Sequence, residues 1–119
     1  MARFRAPEEV DALRTSADRY LAGCFRQETP PRASELAANL GLSCHQLVRE
    51  FQQSLRTTPS AYLKSCQLAH AKALLRTTRL SLNQVAYGSA FGTRMSFFRA
   101  FRRATGMTPA QYRHTDERK

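Results

Sequence analysis

A chain of 119 residues, 42% of them hydrophobic, is long enough for one buried core and short for two independent domains. Three cysteines (Cys24, Cys44, Cys66) without CxxC spacing, a charged start at Met1-Ala2-Arg3-Phe4-Arg5 and no apolar run near the roughly 20 residues that span a bilayer argue against a disulfide scaffold, secretion and a membrane protein. A soluble, reduced, cytoplasmic protein is expected. The formal net charge of +10 is unevenly placed: residues 1–50 carry seven basic and seven acidic side chains, whereas Phe51 to Thr115 holds ten basic residues and no acid, a field that suits a polyanion such as nucleic acid.

Pro7 followed by Glu8, Glu9 and Asp11 marks a helix start, because proline fits the first turn and acids favour the positive end of the helix dipole. Apolar residues recur at Val10, Leu13, Ala17, Tyr20, Leu21, Cys24 and Phe25 until Pro30-Pro31 ends the stripe. A short second helix is predicted over about 33–40, with Leu36, Ala37 and Leu40 inward and Gly41 at its exit. Ser43 with Gln46 then forms a capping box, flanked by Leu42 and Leu47 as a hydrophobic staple, so a third helix runs over about 44–55. Helix, short glycine-containing turn and capped second helix are the outline of a helix-turn-helix.

Thr58 caps and Pro59 opens a linker helix with Leu63, Leu68, Ala71, Leu74 and Leu75 as its apolar positions, running to about Arg76. At ~1.5 Å per residue its roughly 17 residues span about 26 Å, which brings helices at its two ends toward the ~34 Å of one DNA turn. The earlier grammar then returns. Ser81 and Gln84 form a capping box with Leu80 and Val85 as staple, a small-residue turn follows at 88–92, and Thr93 caps another helix. At an offset of 50 residues Leu47 matches Phe97, Arg49 Arg99, Phe51 Phe101, Thr58 Thr108, Pro59 Pro109 and Tyr62 Tyr112. The first helices pair better at an offset of 49 (Leu36 with Val85, Ala37 with Ala86), so the second turn should be one residue longer. The chain reads as an internal duplication: an all-α fold of two helix-turn-helix subdomains joined by a long linker helix, with the first unit at 7–57, the linker at 58–77 and the second unit at 78–113. A flexible N-terminus is expected at 1–6 and a charged tail at 114–119.

In the helix from Cys44, Leu47, Phe51 and Leu55 recur at four-residue steps and point to the core, which leaves His45, Arg49 and Gln52 close to 180° away. In its partner, Phe97 and Phe101 face inward and Met95, Arg99 and Arg102 outward, with Ser96 and Arg103 beside them. Arginine suits guanine O6 and N7, glutamine suits adenine and a methionine edge suits a thymine methyl. Candidate base-reading residues are therefore His45, Gln46, Val48, Arg49 and Gln52 in the first unit and Arg94, Met95, Ser96 and Arg99 in the second. Ser43, Arg56, Thr93, Arg102 and Arg103 are candidates for phosphate, which helix N-termini also receive. Val48 and Phe98 are matched apolar positions about 100° from the core stripe; they belong either to the edge of the core or to a contact with thymine methyls or sugar.

Cys44 beside His45 lacks a second ligand pair at recognisable spacing, so no metal is expected. No Ser/His/Asp order, carboxylate pair or glycine-rich phosphate loop is present, and the acid-free stretch lacks the usual general acids and bases. The reading is of a protein without enzyme activity and without cofactor.

These residues carry a resemblance. Leu36-Ala37 with Gly41 and Ser43, Leu47 and Phe51, Thr58-Pro59 with Tyr62, Leu68-Ala69-His70-Ala71 with Leu74-Leu75, Val85-Ala86, Phe91, Phe97 with Arg99 and Phe101, and Gly106-Met107-Thr108-Pro109 with Tyr112-Arg113 are similar to the DNA-binding domain of the AraC/XylS family of bacterial transcription regulators. The resemblance covers about residues 7–113. It implies a seven-helix, two-lobed domain that places one helix of each unit into successive major grooves of double-stranded DNA and activates transcription by also touching RNA polymerase. Its base-contacting positions fall on His45, Val48 and Arg49 and on Met95, Ser96 and Arg99. The chain departs from the family pattern at Arg56, where the first unit usually has glycine, at Gln67, where the linker helix usually has arginine, and at Ala90, the glycine of a Gly-Phe pair, with Gly92 nearby to absorb the difference.

Most members of that family carry a separate effector-binding and dimerisation domain, which would lie outside this chain, while a minority are single-domain stress regulators. A competing reading of another class is a basic interaction module that docks on RNA polymerase and has only non-specific DNA affinity. The repeated Arg49 and Arg99 favour specific DNA reading.

Overall fold

The computed structural model describes residues 7–117, and every regular element among them is helical: α1 (Pro7–Gln27), α2 (Ala33–Asn39), α3 (Cys44–Leu55), α4 (Pro59–Thr77), α5 (Leu82–Gly88), α6 (Arg94–Thr105) and α7 (Pro109–Glu117). The N-terminus expected to be flexible at 1–6 and the last two residues of the expected tail lie outside the described residues. Helix α7 extends to Glu117, so most of the segment read as a charged tail continues the last helix.

The chain divides into two compact units. Unit 1 comprises residues up to Gly23 and Pro31–Lys64, and unit 2 comprises Cys24–Pro30 and Ser65 onward. The first residues of α4, to Lys64, fall in unit 1 and the rest of that helix in unit 2. The end of α1 belongs with the second unit. There Phe25 stacks on His70 with ring centroids 4.1 Å apart and planes 7° from parallel.

In unit 1, Ala17, Leu21, Leu36, Ala37, Leu47, Phe51 and Leu63 are buried, and α2 packs on α3. Arg32 stands at the N-cap of α2 and makes no side-chain cap bond, which is why no N-cap is legible in its sequence. The Tyr20 hydroxyl holds that junction instead, accepting from the Arg32 backbone N–H at 2.8 Å and donating to Glu35 Oε1 at 2.5 Å. In unit 2 a single cluster gathers Leu68, Ala71, Leu75, Val85, Ala86, Phe91, Phe97 and Phe101. Helix α6 packs on both α5 and α7.

The duplication recurs in three dimensions as the same local geometry built twice. Ser43 and Ser81 each complete a capping box, with the backbone N–H of the cap 2.8 Å from the Gln46 or Gln84 Oε1 and the serine Oγ 3.1 Å from the returning N–H. Thr58 and Thr108 cap α4 and α7 through Oγ1 at 3.1 and 3.2 Å. Phe51 meets Tyr62 edge-on at 5.6 Å, as Phe101 meets Tyr112 at 5.3 Å. Residues 40–43 separate α2 from α3 and residues 89–93 separate α5 from α6, so the second turn is longer by the one residue that the change of offset requires.

Two of the three departures from the family pattern, Ala90 and Arg56, fall where the backbone is left-handed. At the exit of α2, Gly41 takes φ +69° and the Leu42 N–H bonds back to the Ala37 carbonyl at 2.9 Å; at the equivalent exit of α5, Ala90 takes φ +63° and the Phe91 N–H bonds to the Ala86 carbonyl at 3.0 Å. Gly92 therefore does not relieve Ala90 as expected: Ala90 adopts the strained conformation itself and Gly92 adds a second positive φ of +83°. Arg56 at φ +56° ends α3 where Gly106 at φ +76° ends α6. A left-handed L-residue costs roughly 1–2 kcal/mol.

Two expected outcomes check this description. A Cβ at Gly92 would sit 2.8 Å from Pro30 Cγ, whereas one at Gly41 meets nothing within 4 Å. Gly41→Ala should thus lose only the conformational term, about 1 kcal/mol, and Gly92→Ala about 2–3 kcal/mol in urea unfolding; equal losses would contradict the packing of Pro30 there. Burial pushes the His70 imidazole below its usual pKa. The unfolded chain then binds the proton more readily, so this group's contribution to stability is complete above the ordinary histidine pKa and is lost as pH falls below it. Thermal midpoints measured from pH 7.5 down to 5 should fall more for the native chain than for His70→Phe, which keeps the stack without the titrating group.

Candidate nucleic-acid interface

The outward faces of α3 and α6 follow from what their inward faces bury. Leu47 and Phe51 are enclosed in unit 1, and Phe97 and Phe101 in unit 2, so at 100° per residue the positions two before and two after the first of each pair point away from the core. The structure leaves His45, Val48, Arg49 and Gln52 exposed on α3, and Arg94, Met95, Ser96, Arg99, Arg102 and Arg103 exposed on α6. Met95 is 69% exposed and Val48 44%, so both apolar side chains stand on the outward faces with the polar ones. Among the described residues, no ion pair engages the guanidinium groups of Arg49, Arg99, Arg102 or Arg103.

Three of the candidate residues have structural tasks at the helix starts. Ser43 Oγ accepts from the Gln46 N–H, and Gln46 Oε1 accepts from the Ser43 N–H, so the capping box draws the Gln46 side chain toward the helix start. Thr93 Oγ1 accepts from the Ser96 N–H at 3.0 Å. A hydroxyl that accepts one bond still carries a proton to donate, so both caps keep a donor for an anion at the exposed ends of α3 and α6. Arg56 is exposed at the end of α3, and Arg102 and Arg103 occupy the last turn of α6, where a cation also suits the negative end of the dipole.

Val48 and Phe98, matched in sequence, part company in the structure. Phe98 is half-buried against the core cluster and meets Phe97 edge-on at 5.8 Å, which makes it the edge of the core. Its outer face carries the Arg94 guanidinium, 4.8 Å from the ring centroid. Stacking on an aromatic face limits the rotamers of a long cation, so α6 presents Arg94 in a chosen direction. Val48 has no such neighbour role.

Several side chains that hold α5 and α6 in place have a structural role that the sequence reading did not assign to them. Arg113, one of the ten basic residues of the acid-free stretch, is turned inward: its Nε donates to the Leu75 carbonyl at 3.0 Å and its two terminal nitrogens to the Leu80 and Thr78 carbonyls at 2.8 and 3.4 Å. Arg76 donates to the Tyr112 hydroxyl at 2.8 Å. Gln67 is buried and its Nε2 donates to the Ser89 and Ala90 carbonyls at 3.3 and 2.9 Å. Arg113 and Gln67 therefore fix the connections on either side of α5, the helix against which α6 is laid. The signal for Gln67 was present: it interrupts the apolar row Leu63, Ala71, Leu75 at four-residue spacing, where an amide needs a partner. Among the described residues no helix is long and apolar enough to cross a membrane, and no group of three or more histidine, cysteine or acidic side chains comes together to hold a metal ion.

Comparison with known proteins agrees with this geometry. The helix-turn-helix domain family matches residues 36–115. The transcriptional activator RhaR of Escherichia coli strain K12 is 34% identical over 79 residues, which is 65% of this chain and 28% of RhaR, so the chain spans under a third of the length of that relative. Among solved structures, an AraC-type transcriptional regulator from Chromobacterium violaceum superposes with a TM-score of 0.75 at 28% identity, over 89% of this chain and 93% of its own. The DNA-binding domain of the global transcriptional factor AdpA, solved in complex with a target DNA, superposes with a TM-score of 0.73 at 25% identity, over 84% of this chain and 91% of its own. Two capped helix-turn-helix units of matching geometry, each offering a polar, arginine-bearing helix face, and these likenesses lead to one conclusion: the chain belongs to the AraC/XylS-type helix-turn-helix family and is a DNA-binding domain of a transcription regulator.

Proposed function

We propose that the domain reads a specific duplex site with both units, α3 and α6 each entering a major groove and the two taking successive grooves, and that its output is activation. The observation that carries this reading is the repeated outward arginine, Arg49 and Arg99, at the same turn of two independently capped helices, both exposed and free of ion pairs among the described residues. A duplicated fold keeps its core residues for packing, but an exposed arginine kept in both copies has no packing reason to be there. Arginine reaches guanine O6 and N7 with two parallel hydrogen bonds. His45, Val48 and Gln52 flank Arg49, and Arg94, Met95 and Ser96 flank Arg99, so each helix offers donors and apolar edges for three or four base pairs. Gln46 contributes through the amide nitrogen that its cap leaves uncommitted. Ser43, Thr93, Arg56, Arg102 and Arg103 fix the register by binding phosphate, which carries no sequence information.

AdpA binds DNA through a domain of this fold, and RhaR is an activator; both support the reading by likeness. Activation implies a second contact, with RNA polymerase, and an effector domain elsewhere in the regulator would control it. No enzymatic step is part of the proposal.

Selection from a random duplex pool, followed by anisotropy titration of the selected site and a scrambled control at several salt concentrations, tests it. The expected preference is roughly 10³-fold or more at matched salt, over a site that spans two successive major grooves. Equal affinity for both duplexes, falling steeply with salt, would replace specific reading with a basic module that tracks phosphate and docks on polymerase. Arg49→Ala and Arg99→Ala should each lose about 1–3 kcal/mol of binding and relax the preference at one base position, in different halves of the site. Arg102→Ala should weaken all sequences alike and lower the salt slope by about one.

A further inference from the structure

Gln67 sits in the apolar row of α4 and is buried, a position where an amide without partners is strongly disfavoured. Its hydrogen bonds leave the helix altogether. Nε2 donates to the carbonyls of Ser89 and Ala90, two adjacent peptide groups in the turn from α5 to α6. That turn is the one in which an alanine, itself fully buried, holds the left-handed conformation that Gly41 holds at the equivalent exit of α2. Ser89 is also fully buried, and its hydroxyl is committed to the Val85 carbonyl. The second turn thus carries a conformation that its own residues disfavour, two buried carbonyls, and a side chain from α4 aimed at both. Arg94, Met95 and Ser96 begin two to four residues beyond Gly92, so any change at Ala90 is transmitted directly to the start of α6.

We infer that Gln67 is a positioning residue for the second reading helix: its amide clamps the Ser89–Ala90 turn in the left-handed form and so sets the angle at which α6 meets DNA, without touching DNA itself. The inference rests on the reading of α6 given above. It assigns to a buried polar residue in the linker helix a part in the specificity of one half-site and none in the other.

The test compares the native chain with Gln67→Met, which keeps the length of the side chain and removes the donor. In the free protein, amide exchange at Ala90 and Phe91 should become about tenfold faster while the amides in the middle of α4 and of α3 are unchanged. On the selected duplex, discrimination between matched and mismatched base pairs should fall about tenfold in the half read by α6 and stay as it was in the half read by α3. Adding Ala90→Gly, which makes the left-handed turn easy without a clamp, should return part of both losses. Unchanged exchange at Ala90 and Phe91, exchange accelerated throughout unit 2, or an equal loss of discrimination in both halves would overturn the assignment. If Gln67→Met does not fold, recovery of a folded chain by Ala90→Gly supports it and failure to recover overturns it. A native chain with no preferred duplex would overturn the DNA reading, and the exchange comparison reports separately on the clamp.

Discussion

The arrangement depends on a pair of buried residues, four apart, on each second helix: Leu47 with Phe51 and Phe97 with Phe101. Enclosing both members of a pair fixes the helix about its own axis, because a rotation of one residue, 100°, would lift a large apolar side chain out of the core at a cost of about 1.5–3 kcal/mol. The outward face is then determined without any interaction of its own. Arg49 and Arg99 point to solvent because residues on the opposite side cannot. Edge-on aromatic contacts tighten this lock in both units, Phe51 on Tyr62 and Phe101 on Tyr112, with Phe97 and Phe98 adding to the second.

A helix locked in rotation still needs its start fixed in space, and the turns do that. In unit 1 the turn is self-sufficient: Gly41 is left-handed at little cost and the Ser43 capping box closes the helix start. In unit 2 the turn is longer by a residue, its left-handed position is an alanine, and the cap at Thr93 is single rather than reciprocal. Support comes from outside the motif, from Gln67 on one side of α5 and Arg113 on the other. The two copies thus reach one geometry by different means, and the second depends on side chains distant in sequence. Arg113 also shows that a cation within a basic, acid-free stretch need not belong to the surface field; carbonyls of the last turn of α4 and of the connection to α5 hold it inward.

Much of this was determined by the sequence alone. Helix starts at Ser43, Ser81, Thr58 and Thr108 are local events, since a cap and its partner lie three residues apart, and the boundaries of α3 fall where the cap and the apolar period place them. The inward and outward faces of α3 and α6 follow from periodicity, and the extra residue of the second turn follows from the change in offset between the copies. The family and the all-helical class were legible for the same reason: the motif is made of short-range rules written twice.

Tertiary structure decided what those rules do not reach. That Phe98 closes the core while Val48 stays exposed depends on which neighbours α6 and α3 meet, and both positions lie at the same angle on their helices. That Ala90, rather than Gly92 alone, turns left-handed depends on backbone and amide bonds that cross from Ala86 and Gln67. That Cys24–Pro30 belongs with the second unit depends on a stack between Phe25 and His70, 45 residues apart in a chain whose pattern of caps and periods is silent on such pairs. Short-range hydrogen bonds and side-chain period are written in the sequence, whereas contacts between distant residues exist only once the chain has folded, and it is those contacts that assign roles to Gln67, Arg113 and Phe98.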